Sequence, residues 1–173
     1  LLKDYNNRIP MKPKPGEELW LIGETNGHLG QSALIEEMLG INSGGPPLVD
    51  LEKELLAGQF LLKLNDLKLI QSCHDLSDGG LALAAAEMAI IGNSGITLTR
   101  NSIEFLFAED QGRYLISGLS ENENRVMEMG KEASIPVINV GRVGGEYFFI
   151  GDEAISLAEL QNLHQNGLNS ILQ

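Results

Sequence analysis

Cysteine is nearly absent from this 173-residue chain, Cys73 being the single example. One thiol cannot close an internal disulfide, so nothing points to an oxidising compartment. Its setting, LIQSC, reads as a buried strand in which free cysteine acts as a small apolar side chain. The neighbouring His74 raises a nucleophile as the competing reading. Aromatic residues make up only 5%, with one tryptophan, so the core is expected to be mainly aliphatic. Positive charge is also scarce: 12 Lys and Arg against 24 Asp and Glu leave a formal net charge of -12. A polyanion needs a basic face, which argues against a nucleic-acid partner. The only grouping of cations is Lys3, Arg8, Lys12 and Lys14 near the start, and it reads as a solvated face. No apolar run approaches the ~20 residues of a membrane span, and no signal peptide is visible. The expectation is a cytoplasmic chain with no membrane partner. The chain opens LLKDYNN without a methionine and is read as a piece of something longer.

What is present is glycine, 20 residues of it, in a chain that is 43% hydrophobic. That suits one globular domain, residues 1–173, with many turns. The opening segment to Glu17 reads as an incoming strand or linker ending at KPG. Glu18 to Thr25, ELWLIGET, reads as a strand running into the loop GETNGHLGQS. A helix follows over SALIEEMLG, with Gly40 as its C-cap. Asp50 N-caps a second helix, LEKELLAGQFLLKLN. LKLIQSCH reads as a strand. The helix from Gly80 to Ile91 is apolar almost all round and should be buried. ITLT and RYLISGL read as strands. Ser120 and Glu123 form a capping box, S-x-x-E, before a helix to about Ala133. PVINVGRV and EYFFIG read as two strands around a GG turn. Ser156 and Glu159 form a second capping box before a terminal helix. Helices and strands mix without a regular βαβ beat and without an internal repeat. The fold class is therefore α+β, a mixed β-sheet with helices packed on its faces.

Three segments could carry chemistry. HDLSDGG, His74 to Gly80, sets Asp75 and Asp78 before a glycine pair that opens a helix. Magnesium takes hard oxygen ligands, one or two carboxylates plus phosphate oxygens, and Gly79 and Gly80 would admit a ligand close to the backbone. The alternative is local: Ser77 or Asp78 caps the helix and Asp75 ends a strand. GETNGHLGQS has the strand, glycine loop and helix order of a phosphate cradle, yet its spacing matches neither G-x-x-x-x-G-K-[ST] nor G-x-G-x-x-G. His28 is its one side chain with functional chemistry. FAEDQGRYLI groups Glu109, Asp110, Gln111 and Arg113 at a strand entry. Arg113 could pair with an acid or grip a phosphate, and the adjacent acids fit a metal site or an ion-pair network.

Taken in order and spacing, these segments resemble the C-terminal domain of a superfamily of ATP-using enzymes. It includes aminoimidazole ribonucleotide synthetase, selenophosphate synthetase and thiamine monophosphate kinase. Within it the chain is most similar to the phosphoribosylformylglycinamidine synthase family. There the second C-terminal domain carries HDxSDGGLAxAxAEMA, GET…HLGxS, F-x-E-[SD]-Q-x-R and P-V…G-x-V-G-G. Here these are His74 to Ala89, Gly23 to Ser32, Phe107 to Arg113, and Pro136 to Gly145. The resemblance runs from about Lys3 to the end.

The resemblance implies the C-terminal fragment of a longer multidomain ligase. That enzyme converts formylglycinamide ribonucleotide, ATP and glutamine-derived ammonia to formylglycinamidine ribonucleotide in purine biosynthesis, with ATP and Mg2+ as cofactors. It implies upstream domains of the same chain, a glutaminase subunit and a small bridging subunit as partners. It makes Asp75 the magnesium candidate. Ser77, Asp78, Gly79, Gly80, Glu109, Asp110, Gln111, Arg113 and His28 become nucleotide or substrate candidates, and no catalytic residue falls in this chain. Asp110 stands where serine is usual, and in the second copy of that family the equivalent site is auxiliary or vestigial. The alternatives are another ATP-using member of the superfamily, against which His74 with SDGGLA and FAEDQGRYLI both argue, or a non-catalytic scaffold domain.

Overall fold

The computed structural model describes residues 7–41 and 43–171, with the side chains of 168–171 left aside. The first six residues, and with them Lys3 and the start of the expected incoming strand, lie outside the described residues. Seven strands form one mixed sheet in the order β2-β4-β1-β5-β3-β6-β7. They are β1 (Glu18–Ile22), β2 (Ser72–Asp75), β3 (Ile96–Leu98), β4 (Tyr114–Gly118), β5 (Val137–Val143), β6 (Tyr147–Ile150) and β7 (Glu153–Ser156). All neighbours are antiparallel except β3 and β6, which run parallel. With helices on both faces, this is the mixed α+β architecture that the irregular alternation of elements implies.

The two-residue period of β1 divides the core. Leu19 and Leu21 point to one face, where they meet α3 (Gly80–Gly92) and, at its edge, Leu106 of α4 (Ile103–Phe107) and the start of α6 (Leu157–Ile171). Trp20 and Ile22 point to the other, against α2 (Leu51–Asp66) and α5 (Glu123–Glu132). α3 is buried along most of its length, with Ala85, Met88 and Ala89 at 0% exposure, although Leu83 and Ile91 reach solvent. Small side chains let it sit flush on the sheet. Gly80 shows how closely: with φ +59°, a Cβ there would lie 2.5 Å from the carbonyl oxygen of Ala108.

Several local expectations hold. Gly40 ends α1 (Ala33–Leu39) in the left-handed region, and the Asp50 carboxylate accepts from the amides of Glu52 and Lys53. Ser156 Oγ accepts from Glu159 N at 3.2 Å. Others do not. Residues 120–122 form a 3-10 turn and α5 begins only at Glu123 without a side-chain cap, so the first S-x-x-E is not a capping box. α3 is entered through Gly79 in the left-handed region, and neither Ser77 nor Asp78 caps it. The strand expected from Leu67 starts at Ser72, because Lys68 at φ +58° turns the chain out of α2. The GG turn does not join a hairpin. Gly144 N donates to Gly95 O and Gly95 N donates to Gly145 O, which draws β3 between β5 and β6. α4 and β7 had no sequence expectation.

Candidate functional site

Two carboxylates tie the three motif segments together. The Asp110 side chain is buried, and its Oδ2 accepts from Asn26 N at 2.8 Å and Gly27 N at 3.0 Å. Glu109 Oε1 accepts from Ala33 N and from Gly79 N, both at 2.9 Å. One carboxylate oxygen thus meets the first residue of α1 and the residue preceding α3, where unpaired amides and the helix dipole favour negative charge. The loop closes on this frame from the other side: Glu109 N donates to His28 O at 3.0 Å. Gly23, at φ +99°, is pressed so close to the following turn that a Cβ would lie 2.5 Å from Gly112 O.

Arg113 is almost wholly buried beneath this turn. Its Nη1 donates to Ala108 O at 2.9 Å and stands 4.0 Å from Asp110 Oδ2. Burial lowers its pKa from 12.5 to about 10, with Asp110 opposing the shift, so it stays charged at neutral pH. Its Nε has no partner among the described residues. The guanidinium faces carbonyl oxygens in the interior. His28 Nε2 lies 3.1 Å from Gly30 O and 2.9 Å from Gly45 O; both are acceptors, so the ring nitrogen carries the hydrogen and ties the turn before α1 to Gly45.

Beside this frame is a cleft of about 640 Å³. Asp110, Gln111, Gly27 and His28 reach it, as do Glu24 and Lys53, which form a 2.6 Å ion pair at its rim. The hydrogen bond that Lys53 donates to Glu24 raises the lysine pKa. Glu24, Asp50, Glu54 and Asp110 face it against the single lysine, so the cleft is acidic. Asp75, Ser77, Asp78 and Glu109 are not among its lining residues. Ser77 and Asp78 are exposed on the turn before α3, and Ser77 O accepts from Gly80 N at 3.0 Å. The HDLSDGG and EDQ turns are adjacent, joined through Glu109 and Gly79.

Asp75 closes β2 with its side chain 73% exposed, its Oδ1 3.5 Å from His74 Nδ1. His74 Nε2 lies 2.6 Å from Glu87 Oε2 on α3, a pairing within HDLSDGGLALAAAE that spacing alone did not reveal. Among the described residues no three His, Cys, Asp or Glu side chains group to hold a metal. A magnesium ion at Asp75 therefore needs most of its oxygens from a bound phosphate and water, a donor set this ion accepts. The Glu24–Lys53 rim also escaped sequence reasoning, because its partners are 29 residues apart.

The family described as AIR synthase related protein, C-terminal domain, matches residues 14–151. Among curated proteins, the phosphoribosylformylglycinamidine synthase subunit PurL of Cereibacter sphaeroides is 41% identical over 165 residues, 95% of this chain and 23% of that protein. The subunit of the same name from Zymomonas mobilis is 37% identical over 180 residues, 100% of this chain and 24% of that protein. The chain thus spans about a quarter of the length of these relatives. Among solved structures, T. maritima PurL complexed with FGAR superposes with a TM-score of 0.74 at 18% identity, covering 91% of this chain and 30% of that one. Thiamine-monophosphate kinase from Stenotrophomonas maltophilia gives 0.58 at 16%, covering 85% and 54%. At such identities these superpositions bear on the fold alone.

Proposed function

The chain belongs to the family of AIR synthase related proteins, as its C-terminal domain, and on that premise we propose that it is one domain of a phosphoribosylformylglycinamidine synthase subunit. The observation that carries this is the 41% identity to proteins of that name across 95% of the chain. The whole protein would be an ATP-dependent ligase that makes formylglycinamidine ribonucleotide from formylglycinamide ribonucleotide, ATP and ammonia. It would act in the cytoplasm with a glutaminase and a small bridging subunit; a T. maritima neighbour of the same fold was solved as PurLQS.

In this reading the chain supplies a wall of a site that upstream domains complete. Gln111 and the 26–28 loop present polar groups to the 640 Å³ cleft, and Asp110 and Glu109 fix the backbone that carries them. Asp75 would hold magnesium, whose charge would neutralise the phosphates of a bound nucleotide. Among the described residues that line the cleft no general base is paired with a nucleophile, and the chemistry would fall to groups of the upstream domains.

A second reading has its own observation. Glu109 and Asp110 are both engaged by backbone amides, which suits a scaffold whose former ligand groups now hold loops. One experiment separates the two. Mg-ATP is titrated into the full-length protein and into its Asp75→Ala variant, and formylglycinamidine ribonucleotide formation is assayed with ammonia. Nucleotide binding at this copy predicts at least tenfold weaker affinity in the variant. Unchanged affinity with full turnover leaves the scaffold. Absence of turnover in the wild-type full-length protein overturns the assignment of activity. The 173-residue chain alone is expected to show no turnover and weak ATP binding, since half a site lacks the partner groups that offset the entropy of binding.

A further inference from the structure

Four of the twelve Lys and Arg side chains, Arg8, Lys12, Lys14 and Lys68, line one cleft of about 360 Å³ that no carboxylate lines among the described residues. Spread through 60 positions of sequence, they read as a solvated scatter; the fold gathers them. The cleft shares no lining residue with the acidic one. It lies beside Gln71, at the Ser72 end of β2, whereas Asp75 and the Glu109 frame stand at the other end.

Three other cations of this protein stand beside carboxylates. Lys53 meets Glu24, Arg125 meets Glu128 at 2.9 Å, and Arg113 stands near Asp110. Lys12, Lys14 and Lys68 make no ion pair among the described residues. Lys68 Nζ donates to the side-chain oxygen of Asn7 at 2.7 Å, while Asp66 is held by the amide of the same Asn7 at 3.2 Å. Gathering like charges in one concavity raises their mutual repulsion, and with a screening length of ~8 Å little salt intervenes across it. An anion relieves that repulsion and is concentrated there by the focused field, even on a protein of net charge -12.

The cleft is also built. Its N-terminal wall is pinned at both ends: Pro10 O accepts from Cys73 N at 2.9 Å, and Asn7 O accepts from the buried Asn65 side chain at 2.9 Å. Lys14 is anchored by its backbone amide to the buried carboxylate of Glu17 at 3.0 Å. The cations therefore project from a fixed backbone, which lowers the cost of ordering them around a ligand. Pro10 and Ile70 give the cleft an apolar patch. Its volume is at the small end of ligand sites.

We propose that this cleft binds a small phosphorylated molecule, its phosphate among Lys12, Lys14 and Lys68 and its body against Pro10 and Ile70. Lysine ammonium groups act as compact point charges suited to a dianion approached from several sides. This site is independent of nucleotide binding at the Glu109 frame.

The test is a magnesium-free titration of the full chain with inorganic pyrophosphate, followed by amide chemical shifts. Saturable shifts at Lys12, Lys14, Lys68 and Gln71 are expected, with affinity at least tenfold lower in the Lys12→Gln/Lys68→Gln double variant. These lysines are exposed, so the variant keeps its melting temperature. Absence of saturable shifts at millimolar pyrophosphate overturns the proposal, as does equal affinity in the variant. Shifts confined to Gly27 and Gln111 overturn it by placing the anion in the other cleft. Shifts produced by a poly-glutamate peptide and not by pyrophosphate overturn it by making the face a protein contact.

Discussion

The two faces of the sheet are packed by different rules. On one, α3 lies flush, built almost wholly from glycine, alanine and aliphatic side chains, and none of its residues lines either cleft. On the other, α2 stands off the sheet edge, buries Ala57, Phe60 and Leu64, and helps to line both clefts. Its outer side is apolar as well: Leu51, Leu55 and Leu62, on one stripe at i, i+4 and i+11, are 76%, 62% and 61% exposed. The close-packed face is nearly all apolar core, and the looser face carries the two clefts. A ligand needs space that an alanine-lined helix contact does not leave.

The sharpest way to break this comparison is to load the close-packed face. Ala85→Glu would bury an unpaired charge at a fully enclosed position, and a loss of more than ~3 kcal/mol is expected. Chemical denaturation measures it; an unchanged midpoint would remove the distinction between the faces. Next comes Asp110→Asn. It takes the charge from two loop amides and from the vicinity of buried Arg113, for an expected loss of about 1–3 kcal/mol. Amide exchange should accelerate first at Asn26 and Gly27, and uniform acceleration would mean that Asp110 holds the whole fold and not the loop.

A pH effect belongs to the edge strand β2. Burial, assisted by Asp75, raises the Cys73 thiol from 9.0 to about 12. In the unfolded chain the thiol ionises above pH 9 while the folded one stays protonated, so its contribution is intact below pH 9 and is lost as pH climbs toward 12. At pH 10 the difference amounts to about 1.4 kcal/mol. Cys73→Ala should therefore lose less stability than wild type between pH 8 and pH 10; parallel losses would show that the thiol is hydrated in the fold. The smallest effect is expected from Leu55→Glu on the looser face, within about 0.5 kcal/mol. A large loss there would mean that the outer side of α2 is packed after all.

The sequence was most legible where a single residue determines local geometry. Asp50 and Gly40 cap their helices because a carboxylate beside free amides, or a residue tolerant of positive φ, works without distant partners. β1 was legible as a short apolar run and α3 as a helix apolar almost all round. Strand order was hidden, since the pairing of Gly95 with Gly144 and Gly145 depends on the path of the chain between them. The segments Gly23 to Ser32, His74 to Gly80 and Phe107 to Arg113 could be picked out in the sequence, and the fold joins them through Glu109 and Asp110. The acceptors of their hydrogen bonds were not legible. Glu109 and Asp110 look alike in sequence, yet one reaches two helix starts and the other a loop 84 residues away. That Arg8, Lys12, Lys14 and Lys68 share a cleft was not legible, because the fourth, Lys68, comes from the turn after α2.

The place of β1 in the sheet has a consequence for the newly made chain. Its two neighbours begin at Tyr114 and Val137, so the ribosome releases ELWLI long before anything exists to cover its edges. At about 5–20 residues per second, that strand waits roughly 5–20 s for its first partner. Through that interval a tryptophan and two leucines that the finished fold buries completely are without their strand partners.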